Sequence, residues 1–236
     1  MNGYRIHTKV NCHDVDYNGI AKASSLLRYM QSAAEAQLCD NGMSYAELIN
    51  RGRAFILSKL RLEVSKPLQA ETPIDVTTFP CESRGYSFLR CYTIEQDGIT
   101  VARAASMWAL LDVDSRDLVK VSDFELGLDT LPSLDLTINR FKLPSILTDM
   151  GRYGVHYGDV DRNMHMNNTK YPDMYSTYLD MKGKLIKSIT LNYLNEARLN
   201  EKLGVMMGSD GEAYYFRTSR EDGKVNSEAQ IVLADL

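Results

Sequence analysis

The chain has 236 residues, a formal net charge of −4 and a hydrophobic content of 44%. These totals are typical of a globular protein with one large domain or two small ones, and the absence of Lys or Arg runs argues against nucleic-acid binding. No apolar run is long enough to span a membrane, and residues 1–9 resemble neither a secretion signal nor a transit peptide, so we expect a cytoplasmic protein.

The first half of the chain predicts a strand, a long helix and a series of antiparallel strands. Residues 4–12 read as the first strand. Apolar residues recur at helical spacing from Ser24 to Cys39, and Asn41-Gly42 is a typical cap for the end of a helix. Alternating residues then predict strands at 60–64, 74–79, 86–95 and 99–111, with Asp97-Gly98 as a hairpin turn.

The second half repeats this order. Residues 159–163 match residues 14–18 at a shift of 145 residues. Apolar spacing from Tyr171 predicts a second helix that ends near Gly183, and strands are expected at 189–193, 212–220 and 225–233. We therefore predict two units, residues 1–118 and 151–236, joined by a linker at 119–150.

The four cysteines all lie in the first half and show no spacing typical of a zinc site. In a reducing compartment they are expected to be free thiols buried as small apolar groups. They are Cys12, Cys39, Cys81 and Cys91.

A polar cluster precedes the second helix. If this segment is extended, Asp161, Asn163 and His165 point to the same side, because side chains alternate along a strand. A carboxylate, an amide and an imidazole can orient a base, stabilise an oxyanion and transfer a proton. The alternative is a polar helix start, with Asn167 or Asn168 as the N-cap.

The two copies differ at two positions of this pattern. Ile20 occupies the place of His165, and an alignment of the following strands pairs Ser65 with Glu196. A purely structural requirement would affect both copies alike. The difference therefore favours one chemical site in the second unit and an apolar binding role for the first.

Several segments resemble the acyl-acyl carrier protein (acyl-ACP) thioesterases of bacteria and plant plastids. They are residues 103–111, residues 161–171 with Asp161, Asn163 and His165, and residues 194–197, and the resemblance covers nearly the whole chain. It implies an α+β double hotdog fold, in which each of two tandem units wraps a curved antiparallel sheet around a long central helix. Ala197 departs from the pattern, because the family often has cysteine there.

The resemblance implies hydrolysis of fatty acyl-ACP, with Asp161, Asn163, His165 and Glu196 as catalytic residues and acyl carrier protein as partner. Asn163 would stabilise the oxyanion and His165 would orient the thioester or protonate the thiolate, while Asp161 or Glu196 would activate water or attack directly. No metal or organic cofactor is implied. Alternatives are an acyl-CoA thioesterase, a hotdog hydratase or dehydratase, and a non-catalytic acyl-binding module.

The acyl chain requires an apolar tunnel, which we expect between the helix and sheet of the first unit. The residues predicted to line it are Leu26, Tyr29, Met30, Ala33, Phe55, Leu57 and Trp108. Two units can close on each other as a pseudo-dimer, so both a monomer and a homodimer are compatible with the sequence.

Overall fold

The computed structural model describes residues 3–236, which contain three α-helices and eleven β-strands. The helices are α1 (Ala23–Asp40), α2 (Tyr45–Asn50) and α3 (Tyr171–Ser176). The strands of the first half are β1 (Tyr4–Lys9), β2 (Arg53–Val64), β3 (Pro73–Pro80), β4 (Phe88–Gln96), β5 (Ile99–Asp112) and β6 (Leu118–Val119). Those of the second half are β7 (Thr148–Gly154), β8 (Lys184–Tyr193), β9 (Lys202–Ser209), β10 (Tyr214–Ser219) and β11 (Val225–Asp235).

All strands belong to one antiparallel sheet in the order β1-β3-β4-β5-β2-β8-β11-β10-β9-β7, with β6 beside β5. The two halves of this order mirror each other, so an approximate twofold axis passes between β2 and β8. These two strands pair from Lys59↔Asn192 to Glu63↔Ser188. The internal repeat predicted from the sequence is therefore confirmed as two half-sheets joined edge to edge.

Helix α1 covers the first half-sheet and matches its predicted range within one residue at each end. Its buried face includes Leu26, Leu27 and Met30, and the small side chain at Ala33 allows close approach to the strands. Burial of each large side chain contributes about 1.5–3 kcal/mol. The helix ends as predicted, with Gly42 in a left-handed conformation at φ 72°.

The second helix is shorter than predicted. Helix α3 has only six residues, and the prediction that it continues to Gly183 is wrong. Beyond the end of α3, the N–H of Tyr178 donates to the carbonyl of Tyr175 at 3.0 Å. This three-residue spacing is tighter than the four-residue spacing of an α-helix. The carboxylate of Asp180 then accepts from the backbone N–H of Lys182 at 3.2 Å, which competes with helical hydrogen bonding.

Three strands were missed by the sequence patterns, and one of them is β6, which has only two residues. Strand β7 lies at the sheet edge with largely exposed residues, so its sequence shows no apolar alternation. Strand β9 contains Gly204 and Gly208, which are unfavourable in strands. Strand β2 also begins at Arg53, well before the predicted start at Leu60.

The segment between the units packs against the first half-sheet. Leu136 and its neighbours cover Phe79, Cys81 and Cys91, and the Leu131 N–H donates to the carbonyl of Pro80 at 3.0 Å. All four cysteines are free, as predicted. The prediction that all four are buried is wrong for Cys12 and Cys39, whose side chains are exposed. Cys12 lies in a short turn after β1 and Cys39 near the end of α1, and no core covers either residue.

A buried carboxylate fixes the chain between β1 and α1. Asp14 accepts hydrogen bonds from the Tyr29 hydroxyl at 2.5 Å, from Arg28 at 2.8 Å and from Asn11 at 3.1 Å. Burial alone raises the pKa of Asp14, but these hydrogen bonds outweigh it and hold the pKa well below its usual value. The ionised carboxylate therefore stabilises the folded state.

We expect Asp14→Asn to lower the free energy of unfolding by roughly 2 kcal/mol near neutral pH, since hydrogen bonds to a charged group are lost. The folded pKa of Asp14 is depressed, so its contribution is complete above the unfolded pKa of about 3.9 and is lost as pH falls below it. Urea unfolding at about pH 7 and about pH 3 should therefore show a gap between wild type and variant that shrinks on acidification. The exposed Asp135→Asn is the control, and a gap independent of pH would contradict the assignment.

Candidate active site

The segment Asp161 to His165 is a tight turn rather than an extended strand, so the predicted alternation of its side chains is wrong. Asp161 N–H donates to the carbonyl of His165 at 3.0 Å, and Met164 lies in the left-handed region at φ 62°. The carboxylate of Asp161 accepts from the backbone N–H of Asn163 at 2.8 Å. This side-chain contact is an Asx turn, which reverses the chain locally.

The first unit contains the same turn. Asp16 accepts from the backbone N–H of Asn18 at 2.8 Å, and Gly19 has φ 77° where Met164 has φ 62°. The aspartate therefore shapes the loop in both copies. Because the same contact is present in both units, the hydrogen bond between Asp161 and the N–H of Asn163 has a structural role.

The turn brings His165 beside Glu196, which follows β8. Their Nε2 and Oε2 atoms lie 3.1 Å apart, with the two side chains 28% and 51% exposed. The backbone fixes this pair, because Met166 N–H donates to the carbonyl of Ala197 at 2.8 Å. An imidazole and a carboxylate this close together at an accessible position can transfer protons to and from a bound molecule.

The backbone contacts also correct the counterpart of Glu196. In the first unit Ala21 N–H donates to the carbonyl of Leu68 at 2.7 Å, the equivalent of the bond from Met166 to Ala197. Glu196 therefore corresponds to Pro67 and not to Ser65. Pairing Ser65 with Glu196 makes the helix-to-strand connection of the first unit two residues too short. The conclusion that the first copy lacks the carboxylate is unchanged.

Asn163 contacts the first unit across the junction. Its Oδ1 accepts a hydrogen bond from the Tyr45 hydroxyl of α2 at 2.7 Å. The guanidinium of Arg162 lies 4.1 Å from the centre of the Tyr45 ring and 3.6 Å from a carboxylate oxygen of Glu35. Sequence reasoning missed Tyr45, because no local pattern links α2 to a turn more than one hundred residues away.

A large cavity of about 2080 Å³ opens at this junction. All four predicted catalytic residues line it, and so do Phe55, Leu57 and Trp108 from the predicted tunnel set. Typical small-molecule pockets measure about 300–1,000 Å³, so this one has room for a long ligand. The structure thus brings the polar cluster and an apolar wall of the first unit to one space.

The other predicted tunnel residues lie elsewhere. Leu26, Met30 and Ala33 are buried in the core between α1 and the sheet, and the Tyr29 hydroxyl binds Asp14. None of them lines the large cavity within the described residues 3–236. The helix face that packs on the sheet and the face that borders the cavity are adjacent, since Met30 and Gln31, or Ala33 and Ala34, differ by only one residue around α1. Apolar spacing alone does not distinguish the two faces.

The cavity wall includes aromatic residues that were not predicted. Phe88 of β4 packs edge-on against Phe55 at 5.3 Å between ring centroids, and Phe124 from the linker packs against both at 6.3 and 6.4 Å. Trp108 is held by a hydrogen bond from its ring nitrogen to Ser106 at 2.7 Å. Edge-to-face aromatic contacts stabilise such a cluster beyond their buried area.

A smaller cavity of about 420 Å³ lies at the symmetry-related position. It is lined by Asp16, Ile20 and Pro67, which occupy positions equivalent to Asp161, His165 and Glu196. Counterparts of the His165 imidazole and of the Glu196 carboxylate are therefore absent from this copy of the site, although Asp173 of α3 also lines it. Within residues 3–236 the histidine–glutamate pair lies on one side of the twofold axis.

Comparison with protein families agrees with this architecture. The model for the acyl-ACP thioesterase N-terminal domain matches residues 2–126, and the model for the C-terminal domain of the same family matches residues 147–234. The chain belongs to the acyl-ACP thioesterase family. The resemblance of its motifs to this family is confirmed.

Curated relatives include plant acyl-ACP thioesterases. The chloroplastic acyl-[acyl-carrier-protein] hydrolase FATB2 of Cuphea viscosissima is 23% identical over 240 residues, or 89% of this chain and 57% of that protein. The chloroplastic palmitoyl-acyl carrier protein thioesterase of Arabidopsis thaliana is 22% identical over 213 residues, or 82% and 52% of the two chains. The chain spans about half the length of the curated relatives it matches.

Solved structures of acyl-ACP thioesterases share the fold. One from Bacteroides thetaiotaomicron superposes with a TM-score of 0.86 at 16% identity, covering 98% of this chain and 97% of that one. The 12:0-ACP thioesterase from Umbellularia californica gives 0.82 at 17% identity, covering 99% and 97%. The predicted double hotdog fold is therefore confirmed, with a shortened helix in its second unit.

A layer of tyrosines supports the site in this member of the acyl-ACP thioesterase family. The Tyr193 hydroxyl donates to the carbonyl of Asn168 at 2.9 Å, and Tyr171 accepts from Asn226 at 3.0 Å. Burial raises the pKa of Tyr171 to about 12, so it remains a neutral phenol. Asn167 caps the following turn by accepting from Thr169 N–H at 2.9 Å, as the alternative interpretation of this segment predicted.

Ala197, where the resemblance led us to expect cysteine, is 1% exposed. Cys39 and Cys81 line the large cavity, but the charged side chain beside His165 is Glu196 and not a cysteine. Across the same residues, no cluster of His, Cys, Asp and Glu is arranged to hold a metal ion. No helix of the described chain combines the length and apolar character needed to cross a membrane.

Proposed function

We propose that the chain hydrolyses the thioester bond of a fatty acyl group carried on acyl carrier protein, releasing the free fatty acid. The observation that carries this proposal is the His165–Glu196 pair, which lies with Asn163 at one large cavity walled by aromatic residues. Family membership supports the substrate class. A polar pair beside an apolar space suits a ligand with one reactive end and a long hydrocarbon chain.

In the proposed mechanism, water attacks the thioester carbonyl carbon. His165 Nε2 lies 3.1 Å from Glu196 Oε2. In this mechanism Nε2 carries the ring proton on the side of Glu196, and Nδ1 is the acceptor nitrogen of the neutral ring. The pair takes a proton from the attacking water and returns it to the departing thiolate, so the products are a carboxylic acid and a thiol. Asn163 Nδ2 donates to the carbonyl oxygen as negative charge develops.

A carboxylate of Glu196 or Asp161 could instead attack the carbonyl carbon and form an anhydride that water then opens. One oxygen of Asp161 is engaged by the N–H of Asn163 and one oxygen of Glu196 lies beside His165 Nε2, so each carboxylate keeps a second oxygen for attack. A single turnover in ¹⁸O-labelled water reveals direct attack when water opens the anhydride at the carboxyl carbon of the enzyme side chain, because the label then enters that carboxylate. Attack by water on the thioester leaves the label only in the fatty acid.

The proposal assigns different roles to the two units, residues 1–118 and 151–236. Phe55, Leu57 and Trp108 of the first unit hold the acyl chain, and Asn163, His165 and Glu196 of the second carry the chemistry. Phe124 of the linker completes the apolar wall. We also propose that the chain acts on acyl carrier protein in the cytoplasm, either as a monomer that is its own pseudo-dimer or as a homodimer.

The test is a thioesterase assay with one acyl group on acyl carrier protein and on coenzyme A. We expect release of free thiol and fatty acid, with kcat/KM at least ~10-fold higher for the protein carrier, a difference of about 1.4 kcal/mol. Equal or better rates with coenzyme A would support an acyl-CoA thioesterase instead. A change in double bonds without thiol release would indicate a hydratase or dehydratase, and binding without turnover would indicate an acyl-binding module.

A further inference from the structure

Tyr45 of the first unit is held firmly against the candidate site. It is the first residue of α2, whose N-terminus is capped by Ser44 accepting from Glu47 N–H at 3.2 Å. Its hydroxyl donates to Asn163 Oδ1 at 2.7 Å. The guanidinium of Arg162 lies 4.1 Å from the ring centre, a favourable cation–π distance. The ring is thus fixed by its own helix and by the turn that it contacts.

The equivalent asparagine in the first unit shows what this contact changes. Asn18 uses both ends of its amide, since Oδ1 accepts from Gly183 N–H at 3.0 Å and Nδ2 donates to the carbonyl of Met181 at 2.8 Å. Asn163 uses only its oxygen, and its Nδ2 has no hydrogen-bond acceptor within residues 3–236. The Asn18 amide therefore links the two units through both of its ends. The Asn163 amide keeps a free N–H donor beside the cavity.

We propose that Tyr45 is a positioning residue that orients the Asn163 amide, so that its NH₂ group and not its oxygen faces the thioester carbonyl. This inference rests on the proposed hydrolysis. The last torsion of an asparagine side chain is broad and roughly twofold, so an unrestrained amide presents its oxygen about as readily as its nitrogen. An amide oxygen cannot donate to an oxyanion. The first unit thereby contributes to the chemical step as well as to chain binding.

The test measures kcat and KM for acyl-thioester hydrolysis by Tyr45→Phe, Asn163→Ala and the double variant. Tyr45→Phe keeps the ring and loses only the hydroxyl, so we expect kcat to fall roughly 5–10-fold, the value of one hydrogen bond, with KM within about twofold. The double variant should match Asn163→Ala alone, because the hydroxyl acts only through the amide. Tyr86→Phe, an exposed tyrosine outside the cavity, is the matched control.

The outcomes separate this proposal from the proposed function. An unchanged kcat for Tyr45→Phe, or losses that multiply in the double variant, would overturn the positioning role while leaving hydrolysis intact. Wild-type rates for Asn163→Ala would overturn the role of Asn163 itself. Thermal unfolding of each variant establishes folding. If Tyr45→Phe lowers stability, Arg162→Met, which removes the cation–π contact but keeps the hydroxyl, must retain a higher kcat than Tyr45→Phe.

Discussion

Replacing His165 by alanine should lower kcat for acyl-thioester hydrolysis by ~10²-fold or more, the usual contribution of a positioned general acid–base. Glu196→Gln should lower kcat by a similar factor, because an amide cannot take a proton. The substitution keeps the shape of the side chain and one acceptor oxygen. In the structure the two groups lie 3.1 Å apart, so they are expected to act as a unit. The double variant should therefore lose little more than either single variant.

The matched control for this pair is Ile20→Ala, at the position equivalent to His165 in the first unit. It opens the smaller cavity without touching the larger one, so kcat should remain close to that of wild type. Thiol release under saturating substrate, combined with thermal unfolding of each variant, provides the measurement. If folded His165→Ala and Glu196→Gln enzymes both keep more than about a third of wild-type kcat, the proposed site is wrong.

Ala34→Phe should change which acyl chains are hydrolysed. Ala34 lies on α1 at the border of the large cavity, where an added ring would fill space that a long chain needs. Each methylene that loses its apolar contact costs about 0.8 kcal/mol, so the loss of two should lower kcat/KM for long chains roughly 15-fold. Rates with chains short enough to clear the ring should change little.

Ala36→Phe makes the same substitution on the same helix, two residues further along, where the side chain does not line the cavity. It should leave chain preference unaltered. A panel of acyl-ACP substrates of increasing length gives the ratio of long-chain to medium-chain kcat/KM for both variants. Equal losses at every length for Ala34→Phe would indicate that the acyl chain does not pass beside α1.

Local patterns were sufficient for those parts of the fold that depend on neighbouring residues. Helix α1 follows from its apolar spacing and the cap at Asn41-Gly42, and the hairpin at Asp97-Gly98 follows from two residues that accept positive φ. The repeat at residues 14–18 and 159–163 indicated the twofold arrangement. Helix α3 was overestimated, because the competing side-chain contact of Asp180 is not visible in hydrophobic periodicity.

The site was predicted less completely, because its parts come from distant segments. The pattern Asp161, Asn163, His165 was identified for an incorrect geometric reason, since the segment is a turn and not a strand. Of the residues predicted to line the tunnel, some lie in the core and others line the cavity. The sequence does not separate them, because buried apolar residues and cavity-lining apolar residues show the same pattern. Tyr45 could be found only from coordinates.

The edge-to-edge joining of β2 and β8 within one polypeptide has a genetic consequence. In an assembly of two identical chains, every substitution is expressed at both symmetry-related positions. Isoleucine or proline at the places of His165 and Glu196 would then disable both pockets together. Because each half of this chain is encoded by its own codons, each pocket can mutate independently, and selection on one leaves its partner free to diverge.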